Sequence, residues 1–97
     1  MNVNDPEYSR DVTVANMYGL HARPAAEFVK LAARYDCDIL VSKDSLEVNG
    51  KSIMGVMMLA AEKGSTLRIR ARGADAHQAV DALVNLVDHG FGEAETA

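Results

Sequence analysis

Among the side chains that could act as nucleophiles near neutral pH, His21 has the most suggestive neighbours. It stands in the run Gly19-Leu20-His21-Ala22-Arg23-Pro24, where a loop passes into a helix. Gly19 lets the chain turn through positive φ and leaves space beside the ring. A helix beginning at Ala22 turns the unpaired N–H groups of its first turn, from Ala22 and Arg23, toward an anion on the imidazole. Pro24 has no N–H to offer, and none is missed in a first helical turn. It also biases Arg23 away from helical geometry. Arg23 brings a permanent charge in a forked geometry that matches phosphate oxygens. An imidazole nitrogen is a competent nucleophile, and a phosphoryl group on it stays transferable. The set suits a transient phosphoryl site. It is equally compatible with a structural arrangement in which His21 caps a helix and Arg23 pairs with a carboxylate.

The other reactive residues have plainer settings. His77 and His89 fall at the two ends of the last helix and read as solvated surface residues. His89, in the final turn, suits the negative end of the helix dipole. Cys37 is the only cysteine, so no intrachain disulfide can form, and it reads as a small core residue. Ser52 precedes Ile53-Met54-Gly55-Val56-Met57-Met58 and is expected to cap a short helix. Of Ile53, Met54, Met57 and Met58, some must be core, while the rest face out as an adaptable partner surface. A phosphate on Ser52 would be favoured by the helix dipole, so its effect would fall on docking at that surface. The alternating Arg68, Arg70 and Arg72 read as the wet face of a strand, with Asp11 and Thr13 as neighbours. Cross-strand pairing and solubility account for them better than nucleic-acid binding does, and no aromatic residues interleave with them. No P-loop, paired-carboxylate arrangement or metal-ligand cluster is present in the sequence. Neither cofactor nor metal is expected, and the chain has no evident means of activating a phosphate donor unaided.

The positions of these residues follow from the elements. Residues 10–15 alternate with Val12 and Val14 on one face, which predicts a half-buried strand. Ala22 to Tyr35 is predicted helical, with Ala25, Phe28, Val29 and Ala32 inward and Leu31 partly exposed. Ile39 to Ser42 and Leu46 to Val48 read as a hairpin, and Ile53 to about Leu59 as a short helix. Thr66 to Arg72 is the clearest strand. Asp75 and Gln78 have the spacing of a capping box for a helix running to about His89, buried along Ala76, Ala79, Val80, Leu83 and Val87. The order β-α-β-β-α-β-α, with strands alternating rather than uniformly apolar, predicts an α+β open-faced sandwich: an antiparallel sheet with one wet face and helices on the other.

The 97 residues suffice for one domain. With no Trp and two Phe, the core must come mainly from Val, Ile, Leu, Met and Ala. A net charge of −4 argues against nonspecific binding to nucleic acid or anionic membrane. The polar first ten residues lack the apolar run of a signal peptide, and no apolar stretch is long enough to span a bilayer, so a cytoplasmic chain is expected.

Two segments in order, Gly19-Leu20-His21-Ala22-Arg23-Pro24-Ala25 and Lys51-Ser52-Ile53-Met54-Gly55-Val56-Met57, resemble the HPr family of the bacterial phosphoenolpyruvate-dependent phosphotransferase system. The resemblance covers roughly Ser9 to His89. It implies an open-faced β-sandwich with sheet order 1-4-2-3 and three helices on one face. It implies that His21 is phosphorylated on Nδ1 by enzyme I, with Arg23 steadying the phosphate and assisting transfer to an enzyme IIA-type acceptor. Ser52 would be the serine modified by an ATP-dependent HPr kinase/phosphorylase. Partner docking is expected on Ala26, Glu27 and Lys30 of the first helix and on Ile53, Met54 and Met57. The chain is thus expected to be a monomeric phosphocarrier for sugar transport rather than a self-sufficient enzyme. Residues 1–8 would be a flexible extension, 9–90 the carrier domain and 91–97 a flexible tail. Met17-Tyr18, in the loop framing His21, departs from the family pattern. A phosphorylation-switched regulatory module without net sugar transport, nitrogen-type or kinase-regulated, is the alternative. A free-standing phosphotransferase or phosphohistidine hydrolase would need a substrate pocket that so small a domain hardly supplies.

Overall fold

The computed structural model describes residues 5–93. Its elements are β1 (Glu7–Thr13), α1 (Ala22–Ala32), β2 (Asp38–Lys43), β3 (Leu46–Asn49), α2 (Ile53–Met58), β4 (Thr66–Arg72) and α3 (Ala76–Asp88), followed by a single turn at Gly90–Gly92. The sheet order is β1-β4-β2-β3 with every pair antiparallel. This is the open-faced sandwich expected from the pattern.

The register explains both faces. Leu67, Ile69 and Ala71 of β4 sit opposite Val12, Arg10 and Tyr8 on one side, and Val41 and Ile39 pair with Ile69 and Ala71 on the other. Phe28, Leu83, Val80, Val87 and Val56 close over the inner face from the helices, all fully buried. On the outer face Arg68 pairs with Asp11 at 2.8 Å, Arg70 with Glu47 at 3.1 Å and Arg72 with Glu7 at 3.1 Å. Carboxylates thus match the arginine stripe, Asp11 as expected and Glu7 beside it on the adjacent β1, with Glu47 reaching Arg70 from β3 across β2.

Several boundaries move for physical reasons. The first strand begins at Glu7 rather than Arg10, so Glu7 and Tyr8 belong to the sheet and not to a lead-in. Its early inward positions are not aliphatic. Tyr8 stacks on His77 with ring centroids 4.0 Å apart, and Arg10 reaches Asp81 of α3 at 3.0 Å. The strand ends at Thr13, although Val14 still bonds to Ser65 and Gly64. Helix α1 stops at Ala32, and the expected last turn to Tyr35 tightens into three-residue bonds from Arg34 to Leu31 and Tyr35 to Ala32. The capping box at Asp75 and Gln78 does not form. Asp75 makes no side-chain cap and instead accepts the Asp36 N–H at 2.8 Å, tying the start of α3 to the chain before β2. Residues 1–4 and 94–97 of the expected terminal segments lie outside the described residues.

Candidate functional site

His21 is the N-cap of α1, with extended backbone (φ −74°, ψ −175°) and no side-chain cap bond. Its carbonyl accepts the Ala25 N–H at 3.0 Å. The ring is therefore not spent on capping and stands half-exposed beside a helix start whose first N–H groups have no helical acceptor. Pro24 and Ala25 behind it are buried and anchor that start. The loop before it is fixed by a close approach. Gly19 has φ +65°, and a Cβ there would overlap the Ala61 carbonyl oxygen. The same oxygen accepts the Leu20 N–H at 2.9 Å. Tyr18, 76% exposed, faces His21 edge-on at 6.3 Å between centroids.

A residue assigned to the tail by sequence reasoning completes the site. Glu93 Oε2 lies 3.1 Å from His21 Nε2 and 2.7 Å from an Arg23 terminal nitrogen, while Arg23 Nε donates to the same oxygen at 3.2 Å. Its other oxygen, Oε1, accepts from Asn16 Nδ2 at 2.9 Å, and the Asn16 amide also donates to the Gly19 carbonyl at 2.8 Å. Among the described residues Asn16 is the one buried polar residue, and its Oδ1 has no partner. Gly90, Phe91 and Gly92 all have positive φ (62°, 58° and 71°), and this left-handed turn brings the chain back to His21. The two glycines adopt it freely, whereas Phe91 is held there by burial. Burial alone would push the Glu93 carboxyl up. The Arg23 and Asn16 hydrogen bonds, with the charges of Arg23 and His21, hold it below its ordinary value.

Ser52 caps α2 as expected, its hydroxyl accepting the Gly55 N–H at 3.1 Å. The expectation that some of Ile53, Met54, Met57 and Met58 are core is not met. All four are exposed, at 45, 73, 40 and 64%, and α2 is held to the body by Val56 and by Leu59 just beyond it. Of the other docking candidates, Ala26 and Glu27 are half-buried and Lys30 is exposed. Glu27 and Lys30 line a groove with Leu31, Arg34 and Leu86 of α3, apart from the expected docking residues on α2, while Ala26 lies outside that groove. His77 and His89 are exposed and remote in role, paired with Asp81 and with the Asn85 carbonyl. Cys37 is buried, and burial followed by the nearby Asp75 carboxylate pushes its thiol up to about 11, which leaves it a poor nucleophile. Among the described residues no group of three or more His, Cys, Asp or Glu could hold a metal, and no helix is long and apolar enough to cross a membrane.

The chain is similar to known proteins over most of its length. Residues 8–89 match the family model for the PTS HPr component phosphorylation site. The phosphocarrier protein HPr of Pseudomonas putida is 47% identical over 89 residues, covering 90% of this chain and 98% of the relative. That of Cupriavidus necator is 45% identical over 86 residues, covering 89% and 97%. In three dimensions the chain is similar to the crystal structure of HPr-C-His from Thermoanaerobacter tengcongensis, with a TM-score of 0.86, 42% identity, and coverage of 90% of this chain and 98% of that one.

Proposed function

The chain belongs to the HPr family of phosphotransferase-system phosphocarriers, and on that footing we propose that His21 Nδ1 takes a phosphoryl group from phospho-enzyme I and hands it to an enzyme IIA-type acceptor. The observation that carries this reading is the state of the His21 ring. It stands at a helix start without capping it, half-exposed, with a guanidinium two residues away.

In the transfer, the Nδ1 lone pair attacks phosphorus while the donor's bond to phosphorus breaks, its electron pair staying on the donor. The α1 N-terminus and Arg23 face the charge that arrives. The phosphate shares Arg23 with Glu93, so the 2.7 Å ion pair weakens as the phosphate settles. Delivery to the acceptor reverses these steps. Activation of phosphoenolpyruvate and recognition of the sugar rest with the partners, which meet in the cytoplasm in this reading. In this reading enzyme I and the acceptor alternate on the exposed apolar side chains of α2, with further contacts from Ala26, Glu27 and Lys30 of α1.

Ser52 at the edge of that surface is the proposed regulatory site, modified by an HPr kinase/phosphorylase. About two added negative charges there would penalise an interface that buries the α2 methionines. The test of the carrier reading is incubation with enzyme I and labelled phosphoenolpyruvate. Acid-labile, alkali-stable label is expected on the parent chain and absent from His21→Ala. A parent chain that takes no label refutes the carrier reading and leaves the regulatory module in its place.

A further inference from the structure

We propose that Glu93 is a positioning residue that keeps the imidazole proton of His21 on Nε2, so that Nδ1 carries the free lone pair, and that Asn16 holds Glu93 in place to do so. This rests on the phosphocarrier reading and specifies how the ring is prepared for it.

An ionised carboxylate only accepts, so the 3.1 Å contact between Glu93 Oε2 and Nε2 is made by an Nε2–H. In a neutral imidazole the other nitrogen then has the lone pair, and among the described residues Nδ1 of His21 has no hydrogen-bond partner. A carboxylate that fixes an imidazole tautomer through one nitrogen, leaving the other to react, is a general device of histidine chemistry. Glu93 can act as one because it is ionised and held from three sides. Arg23 binds Oε2, Asn16 binds Oε1, and the left-handed turn at Gly90–Gly92 sets the approach.

Asn16 ties the two halves of the arrangement together. The same amide nitrogen reaches the Gly19 carbonyl, two residues before His21, and the Glu93 carboxylate. Burial of the Asn16 side chain with Oδ1 unpaired is a cost an apolar core residue would avoid. That cost is accounted for if the amide is there to hold the loop and the carboxylate together. During transfer the Nε2 proton stays where it is. As phosphorus bonds to Nδ1 the ring becomes positively charged, and Glu93 faces that charge across the Nε2–H.

Nitrogen-15 NMR of the His21 ring in the unphosphorylated full chain, at a pH where the imidazole is neutral, reads the tautomer directly. The parent is expected to be almost wholly Nε2–H. Glu93→Ala is expected to raise the Nδ1–H population several-fold, while the backbone amide spectrum of the core stays unchanged. Asn16→Ala is expected to move the ratio in the same direction by less, and the double variant to match Glu93→Ala alone. An unchanged tautomer ratio in Glu93→Ala overturns the proposal. The measurement needs no phosphate donor. A parent chain that fails to take label from enzyme I therefore refutes the carrier reading separately, whatever the tautomer.

Discussion

Arg23 holds a carboxylate in this structure and, in the proposed transfer, would turn to a phosphate. Its fork donates to Glu93 through both Nε and a terminal nitrogen, a geometry that phosphate oxygens can take over. Charge-assisted hydrogen bonds of this kind contribute about 1.5–3 kcal/mol. Arg23→Ala is accordingly expected to slow phosphoryl transfer by about one to two orders of magnitude. Arg23→Lys should recover only part of the rate, measured with enzyme I and labelled donor, because lysine offers a point charge and no fork. An Arg23→Ala variant that transfers at the parent rate removes Arg23 from the site. Glu93 makes a prediction with a definite sign. Its carboxyl titrates below its ordinary 4.5, so the stability from its clamp is fully present above that value and is lost as pH falls through the lower folded value. A carboxyl carbon titration of Glu93 should have its midpoint below 4.5, and a midpoint at or above that contradicts the clamp. His21 and Arg23 were legible because their meaning lies within six consecutive residues. Glu93 was not, because it lies 70 residues along the chain from Arg23 and arrives through a left-handed turn that apolar periodicity does not reveal. The one local sign was a phenylalanine between two glycines ahead of an acid. Of the sequence-level alternative, the pairing of Arg23 with a carboxylate is present, whereas the His21 side chain makes no cap bond.

At the scale of elements, the loop ending in Gly19 and the short helix α2 flank the His21 side of the molecule and fail in different ways. Gly19→Ala places a Cβ on the Ala61 carbonyl at a positive φ, and a loss of at least ~2 kcal/mol is expected by denaturant unfolding, together with slower phosphorylation of His21. Ser52→Asp keeps a good N-cap, so stability should stay within about 0.5 kcal/mol of the parent. Acceptance of phosphate from enzyme I should nevertheless slow, and a variant loaded as fast as the parent sinks the regulatory role of Ser52. Strand β4 was readable residue by residue because its arginines and aliphatics alternate without exception. The start of β1 was not, since Tyr8 and Arg10 occupy its inward positions and find partners on α3. The Asp75 spacing misled because a carboxylate at a helix start has a second use. Here it takes the Asp36 amide from another segment, and no local pattern records that choice.

For the whole molecule, one sheet face packed by helices and one covered by ion pairs predict unequal sensitivities. Phe28→Ala should cost about 3–5 kcal/mol, since the ring is wholly buried between the layers. Arg70→Ala should change stability by less than about 1 kcal/mol, because its partners Glu47 and Glu7 are solvent-exposed. The layer arrangement was legible from alternation and element order, whereas the assignment of α2 was not. An apolar helix of six residues reads as half core, yet only Val56 within it is buried. That placement has a kinetic side. With one buried side chain and one serine cap, α2 should open on its own, so its amides should exchange with solvent deuterium through local excursions. Those of β4, bonded on both edges, should wait for the entire domain to unfold. The surface proposed to meet each partner would then be the part of the domain that refolds most often, able to change shape without disturbing the sheet behind it.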